Sequence, residues 1–184
     1  MRMKDIVERV MADVRYLKNI EYGEPRSGHP EGKIKFHIAE LEENLEKLVS
    51  RGISEEEYWK LKFIIHVHDT FKADATPDVP ILNPNSHASL ARKFAAEFSI
   101  EEDLLNMIQL HDVNYALWKQ LNATGSYDCD RFQSLLDAIQ NWDLFLMFLI
   151  IDGSTQGKER SKLIWFIEEV MKHKNTRLDE SWIL

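Results

Sequence analysis

The chain predicts an all-helical fold, a single compact helical bundle spanning residues 1–184. Three observations carry that expectation. Apolar residues recur every three or four positions far more often than every two. Only 7 Gly and 5 Pro interrupt 184 residues. Ser54 with Glu57, and Ser99 with Glu102, have the spacing of capping boxes, in which a hydroxyl and a carboxylate satisfy backbone N–H groups at a helix start. At 44% hydrophobic and 29% charged residues the composition is that of a globular protein and excludes a disordered or low-complexity chain.

The elements follow in order. A first helix fits 3–20, and the segment 22–30, dense in Gly, Pro and Ser, reads as a loop. Residues 33–50 place Ile34, Ile38, Leu41, Leu45 and Leu48 on one stripe, with Gly52 positioned to end the helix. The Ser54 box opens a third helix through Val67 whose second half is apolar nearly all round and therefore central. Pro77, Pro80 and Pro84 make 73–86 a long connection of the kind that covers a site. A fourth helix fits 85–98, and a fifth runs from the Ser99 box to residue 121. A turn at 122–126 precedes a helix over 130–152, and a last helix covers 158–174 beyond the turn 153–157.

A net charge of −8 opposes general nucleic-acid binding or adhesion to an anionic membrane, because phosphate polyanions are repelled on average. The lone Cys129 has no intramolecular disulfide partner, and the amino-terminal segment is charged and amphipathic where a secretory leader would be apolar. The longest apolar run, 144–151, ends at Asp152, well short of the ~20 residues of a membrane-spanning helix. A cytoplasmic location is expected.

The chemistry lies in where the histidines fall. A polar group on a buried face costs several kcal/mol unless it finds a partner. His37 sits between Ile34 and Leu41 on the stripe of its helix; His68 and Asp69 end the most buried helix. His87 precedes Ala91, Phe94 and Phe98 at helical spacing, His111 falls in the series Leu104, Ile108, Tyr115 and Trp118, and Asp152 follows Phe145 and Leu149. A lone inward histidine is commonly a hydrogen-bonded core residue, but four imidazoles and two carboxylates converging from five helices form a place for metal. Asp152, at the end of an eight-residue apolar run, needs a cation. Mixed nitrogen and oxygen donors suit iron, manganese, cobalt, nickel or zinc, and six candidates exceed the four ligands of a structural zinc site. Two divalent transition-metal ions bridged by one carboxylate is the economical arrangement. His66 points away from His68 and is assigned to core or surface.

The order His37, His68-Asp69, His87, His111, Asp152 resembles the HD-domain superfamily of metal-dependent phosphohydrolases. Two finer features agree. His68-Asp69-Thr70-Phe71-Lys72 resembles that family's His-Asp-x-Gly-Lys stretch, with Phe71 in the glycine position. His29-Pro30-Glu31-Gly32 is similar to the HD region of bacterial tRNA nucleotidyltransferases. The resemblance implies that His37, His68, Asp69 and Asp152 hold one metal and that His87 and His111 hold a second sharing Asp69. Together the metals would activate a water for attack on a phosphomonoester or phosphodiester of a nucleotide or small phosphorylated metabolite. It also implies roles for Asp69 in catalysis and for Lys72 in reaching a phosphate or orienting Asp69. Arg26, His29 and Lys33, in the loop entering the His37 helix, are candidates for phosphate contact. Dinuclear iron oxygenases of the myo-inositol oxygenase type resemble the same ligand order and are the alternative reading.

Two other patterns are expected to be bland. Gly153-Ser154-Thr155-Gln156-Gly157-Lys158 lacks the spacing of a phosphate loop, although Thr155 and Lys158 follow Asp152 closely enough to line its pocket. Trp118, Trp142, Trp165 and Phe166 fall on helical stripes and read as core.

Overall fold

A computed structural model describes residues 2–25 and 30–184, and within them every regular element is helical. In chain order these are α1 (Met3–Ala12), α2 (Val14–Asn19), α3 (Ile34–Val49), α4 (Glu55–Val67), α5 (His87–Ala95), α6 (Glu102–Leu110), α7 (Val113–Thr124), α8 (Cys129–Ala138), α9 (Trp142–Gly153) and α10 (Ser161–Met171), with a 3-10 turn at Glu180–Trp182.

Helix α4 is the hub. It packs against α1, α3, α5, α6 and α9, and Leu61, Phe63, Ile64 and Ile65 are buried together on successive faces, as expected of a segment apolar all round. Helix α9 is the second buried rod, with every residue from Leu144 to Ile151 in the core. Asn44 of α3 ties the two layers by donating to the Ile151 carbonyl at 3.0 Å. The Ser54 capping box forms as expected: Ser54 Oγ accepts from the Glu57 N–H at 3.2 Å, and Glu57 Oε2 accepts from the Ser54 N–H at 2.7 Å. Among the described residues no single helix is long and apolar enough to cross a membrane.

Three helices expected to be continuous are broken. The first breaks at Asp13, which is extended and whose carboxylate accepts from the Arg15 N–H at 2.8 Å, capping α2. The fifth breaks at His111 and Asp112, between α6 and α7. The sixth bends by 116° between α8 and α9, where both Asp103 oxygens accept the N–H groups of Gln140 and Asn141 at 2.8 and 2.9 Å. The Ser99 box does not form: Ser99 Oγ accepts from the Glu101 N–H at 3.2 Å, Glu101 takes the cap position, and Glu102 pairs with Arg92. The connection 73–86 is folded by turns, with Ser86 Oγ donating to the Ile81 carbonyl at 2.6 Å and capping α5 through the Ser89 N–H at 3.0 Å.

Candidate metal centre

The breaks decide where the site residues sit. His37 lies one turn into α3, His68 is the C-cap of α4 with Asp69 directly after it, His87 opens α5, His111 is the C-cap of α6, and Asp152 stands in the last turn of α9. All six meet at one place, in two groups each compact enough to hold an ion: His37, His68 and Asp152, and Asp69, His87 and His111.

Asp69 stands between the groups and gives one oxygen to each. Its Oδ2 is 3.5 Å from His68 Nε2 and 4.0 Å from His37 Nε2, while its Oδ1 is 3.5 Å from His111 Nε2 and 3.7 Å from His87 Nε2. That is the disposition a bridging carboxylate requires. On the first side His37 Nε2 meets Asp152 Oδ1 at 3.1 Å; on the second, the two Nε2 atoms of His87 and His111 face each other at 3.4 Å.

The other ring nitrogens explain why the Nε2 atoms point inward. His68 Nδ1 lies 3.1 Å from the Ile65 carbonyl and His111 Nδ1 lies 2.7 Å from the Ile108 carbonyl. A carbonyl only accepts, so in both rings Nδ1 donates there and Nε2 is the nitrogen turned to the centre. His37 Nδ1 rests 3.1 Å from Glu31 Oε1, the carboxylate of the His-Pro-Glu-Gly motif.

The electrostatics fit a cation. Burial pushes His68 down to about 3. Burial also opposes charge on His37 and His111, yet the Asp152 and Glu31 hydrogen bonds raise His37 to about 9, and Asp112 and Asp69 raise His111 to about 9. Against burial, Lys72 with His68 and His111 holds Asp69 well below the carboxylate range, and Lys158 with His37 does the same for Asp152. Asp152 also lies at the negative end of the α9 dipole, which increases its need for positive charge. Among the described residues two buried atoms at the centre, His68 Nε2 and Asp69 Oδ1, have no hydrogen-bond partner. Stranding such atoms costs about 1–3 kcal/mol each, and an ion in each group would satisfy them. The donor set of imidazole nitrogens and carboxylate oxygens fits the transition metals expected from sequence.

A cavity of about 690 Å³ opens over the centre, lined by His68, Asp69, His111 and Asp152 together with Lys72 and Lys158. Lys72 pairs with Asp69 Oδ2. Lys158 donates to Asp152 Oδ1 at 2.9 Å; its loop is held by the Arg160 guanidinium, which donates to the carbonyls of Gly153, Ser154 and Lys158 at 3.0, 2.9 and 2.8 Å. Thr155 turns instead to the Asp152 carbonyl at 3.0 Å. Asp78, from the 73–86 connection, reaches the cavity wall.

Other candidates lie elsewhere. Lys33 pairs with Glu21 at 3.0 Å on the surface, and Arg26 and His29 lie outside the described residues. His66 is a buried bridge: Nε2 donates to Glu42 at 3.0 Å, leaving Nδ1 to accept from the Tyr16 hydroxyl at 2.6 Å. One residue of the centre was not anticipated. Asp112 Oδ2 stands 3.3 Å from His87 Nε2 and 3.6 Å from His111 Nε2, and the signal for it was adjacency to His111 at a helix break. No protein-family model, curated protein or solved structure matches the chain.

Proposed function

We propose that the chain is a metal-dependent phosphohydrolase of the HD-domain kind, acting on a phosphomonoester or phosphodiester of a nucleotide or small phosphorylated metabolite. The observation that carries this reading is Asp69, whose two oxygens are shared between two groups of inward histidine nitrogens. His37, His68 and Asp152 would hold one ion and His87 and His111 a second, with Asp69 common to both. Two such ions supply Lewis acidity and a water of lowered pKa. Around them Lys72 keeps Asp69 ionised and, with Lys158, makes the cavity over the centre receptive to a phosphate. The same cations favour an anionic substrate over the neutral polyol of an inositol oxygenase.

Elemental analysis of the purified chain tests the reading, together with release of phosphate from a panel of phosphate esters. The expected result is close to two equivalents of manganese, cobalt or iron per chain and hydrolysis by the manganese form without oxygen. Asp69→Ala should abolish hydrolysis and remove at least one equivalent. Near-zero metal after reconstitution under reducing conditions would overturn the proposal, and turnover that consumes oxygen would assign oxygenase chemistry instead.

A further inference from the structure

The cavity extends beyond the metal centre to a wall built by α7 and α10, which pack together. Tyr115 and Trp118 are three residues apart on α7, so they share a face, and both line the cavity with Lys162 of α10. Trp118 is backed by Trp165, ring centroids 5.5 Å apart, and the Lys162 ammonium lies 5.3 Å from the centre of the Tyr115 ring.

These three residues differ from their counterparts elsewhere in the molecule. Trp142 and Phe166, on comparable stripes, are buried as core packing requires, whereas Tyr115 is 51% exposed. Lys72 and Lys158 are each paired with a carboxylate of the centre. Lys162 has no carboxylate within ion-pairing distance among the described residues, and burial lowers its pKa. A partly buried ammonium without a carboxylate partner, beside an exposed aromatic face, is suited to an anion attached to a ring. A space of about 690 Å³ is of the size that takes a nucleotide-sized ligand.

We propose that Tyr115, Trp118 and Lys162 form a substrate subsite that takes a phosphate ester bearing a planar heteroaromatic ring, the ring stacking on Tyr115 and Trp118 and Lys162 binding a phosphate oxygen. The proposal rests on the phosphohydrolase reading and narrows its substrate to the nucleoside phosphate class. Stacking on aromatic side chains accepts any base, because every base presents a π-face.

The test measures binding to the manganese-loaded full chain by calorimetry, using the non-hydrolysable phosphonate analogues of adenosine 5′-phosphate and ribose 5-phosphate. The adenosine compound should bind at least tenfold tighter. Tyr115→Ala should bring the two within about threefold by weakening only the adenosine compound, and Lys162→Met should weaken both about tenfold, with metal content and circular dichroism unchanged in both variants. Equal affinity for the two probes, failure of the adenosine compound to bind, or a preference that survives Tyr115→Ala overturns the subsite. A separate assay of adenosine 5′-phosphate and ribose 5-phosphate hydrolysis distinguishes the two readings. Ring-dependent binding with no hydrolysis of these two esters or of any ester in the phosphate-release panel keeps the subsite and removes the hydrolase; hydrolysis without ring preference does the reverse.

Discussion

Asp112 and Glu42 show what single side chains do here. Asp112 brings a second carboxylate to the His87 and His111 group, so Asp112→Asn should leave the first ion in place and weaken the second about 10–100-fold, as loss of a partner shell does. His87→Ala should leave roughly one ion per chain, which metal titration of the variant reads directly; two retained ions would make His87 a packing residue. Glu42, bonded to His66 and Lys62, has its pKa lowered from 4.5 to about 2. A lowered carboxyl pKa means that the folded state holds the proton less tightly than the unfolded chain, so the contribution is complete above about pH 4.5 and is lost as pH falls toward 2. Glu42 is partly exposed, which limits that contribution to about 1 kcal/mol or less. Denaturant melts of Glu42→Gln against the parent should therefore differ at pH 6, differ less as pH falls below 4.5, and converge only as it approaches 2. The six inward side chains were legible because each sits on an apolar stripe or at the end of a buried helix, where a polar group needs a reason. Asp112 was not, because its direction comes from the break after His111, and Glu31 was noticed for its motif alone, since its contact with His37 joins a loop to a helix.

At the level of elements, the apolar period announced helices but passed through their interruptions. Across 139–141 the stripe continues in sequence while the backbone turns by 116°, and the groups that stabilise the turn are the Asp103 oxygens from α6, more than thirty residues earlier. Nothing local encodes that contact. Asp103→Ala should cost about 1–2 kcal/mol of unfolding free energy, the usual range for a lost capping carboxylate, measurable by urea denaturation. Glycine at 153 has a local cause: a Cβ there would lie 2.7 Å from Leu163 Cδ1 and 2.9 Å from its Cγ. Gly153→Ala should destabilise by about 1–3 kcal/mol through overpacking and displace α10. A variant as stable as the parent would show that α10 yields easily. The hub helix, by contrast, was legible throughout, because its capping box and its unbroken apolar second half are both local features.

For the whole molecule, the centre joins residues from 37 to 152, so an ion bound there adds a link among five helices that already meet through packing and hydrogen bonds. Binding to the folded state alone stabilises by mass action, about 2.7 kcal/mol when free ion is 100 times its dissociation constant. Manganese should accordingly raise the melting temperature and chelation should lower it, while Asp69→Ala should show a smaller manganese-dependent rise than the parent. The all-helical class was legible from spacing, and a carboxylate bridging two ions from the number of inward donors; that Asp69 is the shared one was expected only through resemblance, since spacing says which face a residue occupies and not which faces meet. The span of the centre also orders events during synthesis. Asp152 is the last of the six converging residues to be added, so a growing polypeptide on the ribosome has no complete centre until most of its length has emerged, and the histidines and carboxylates stay apart until the core around them can close.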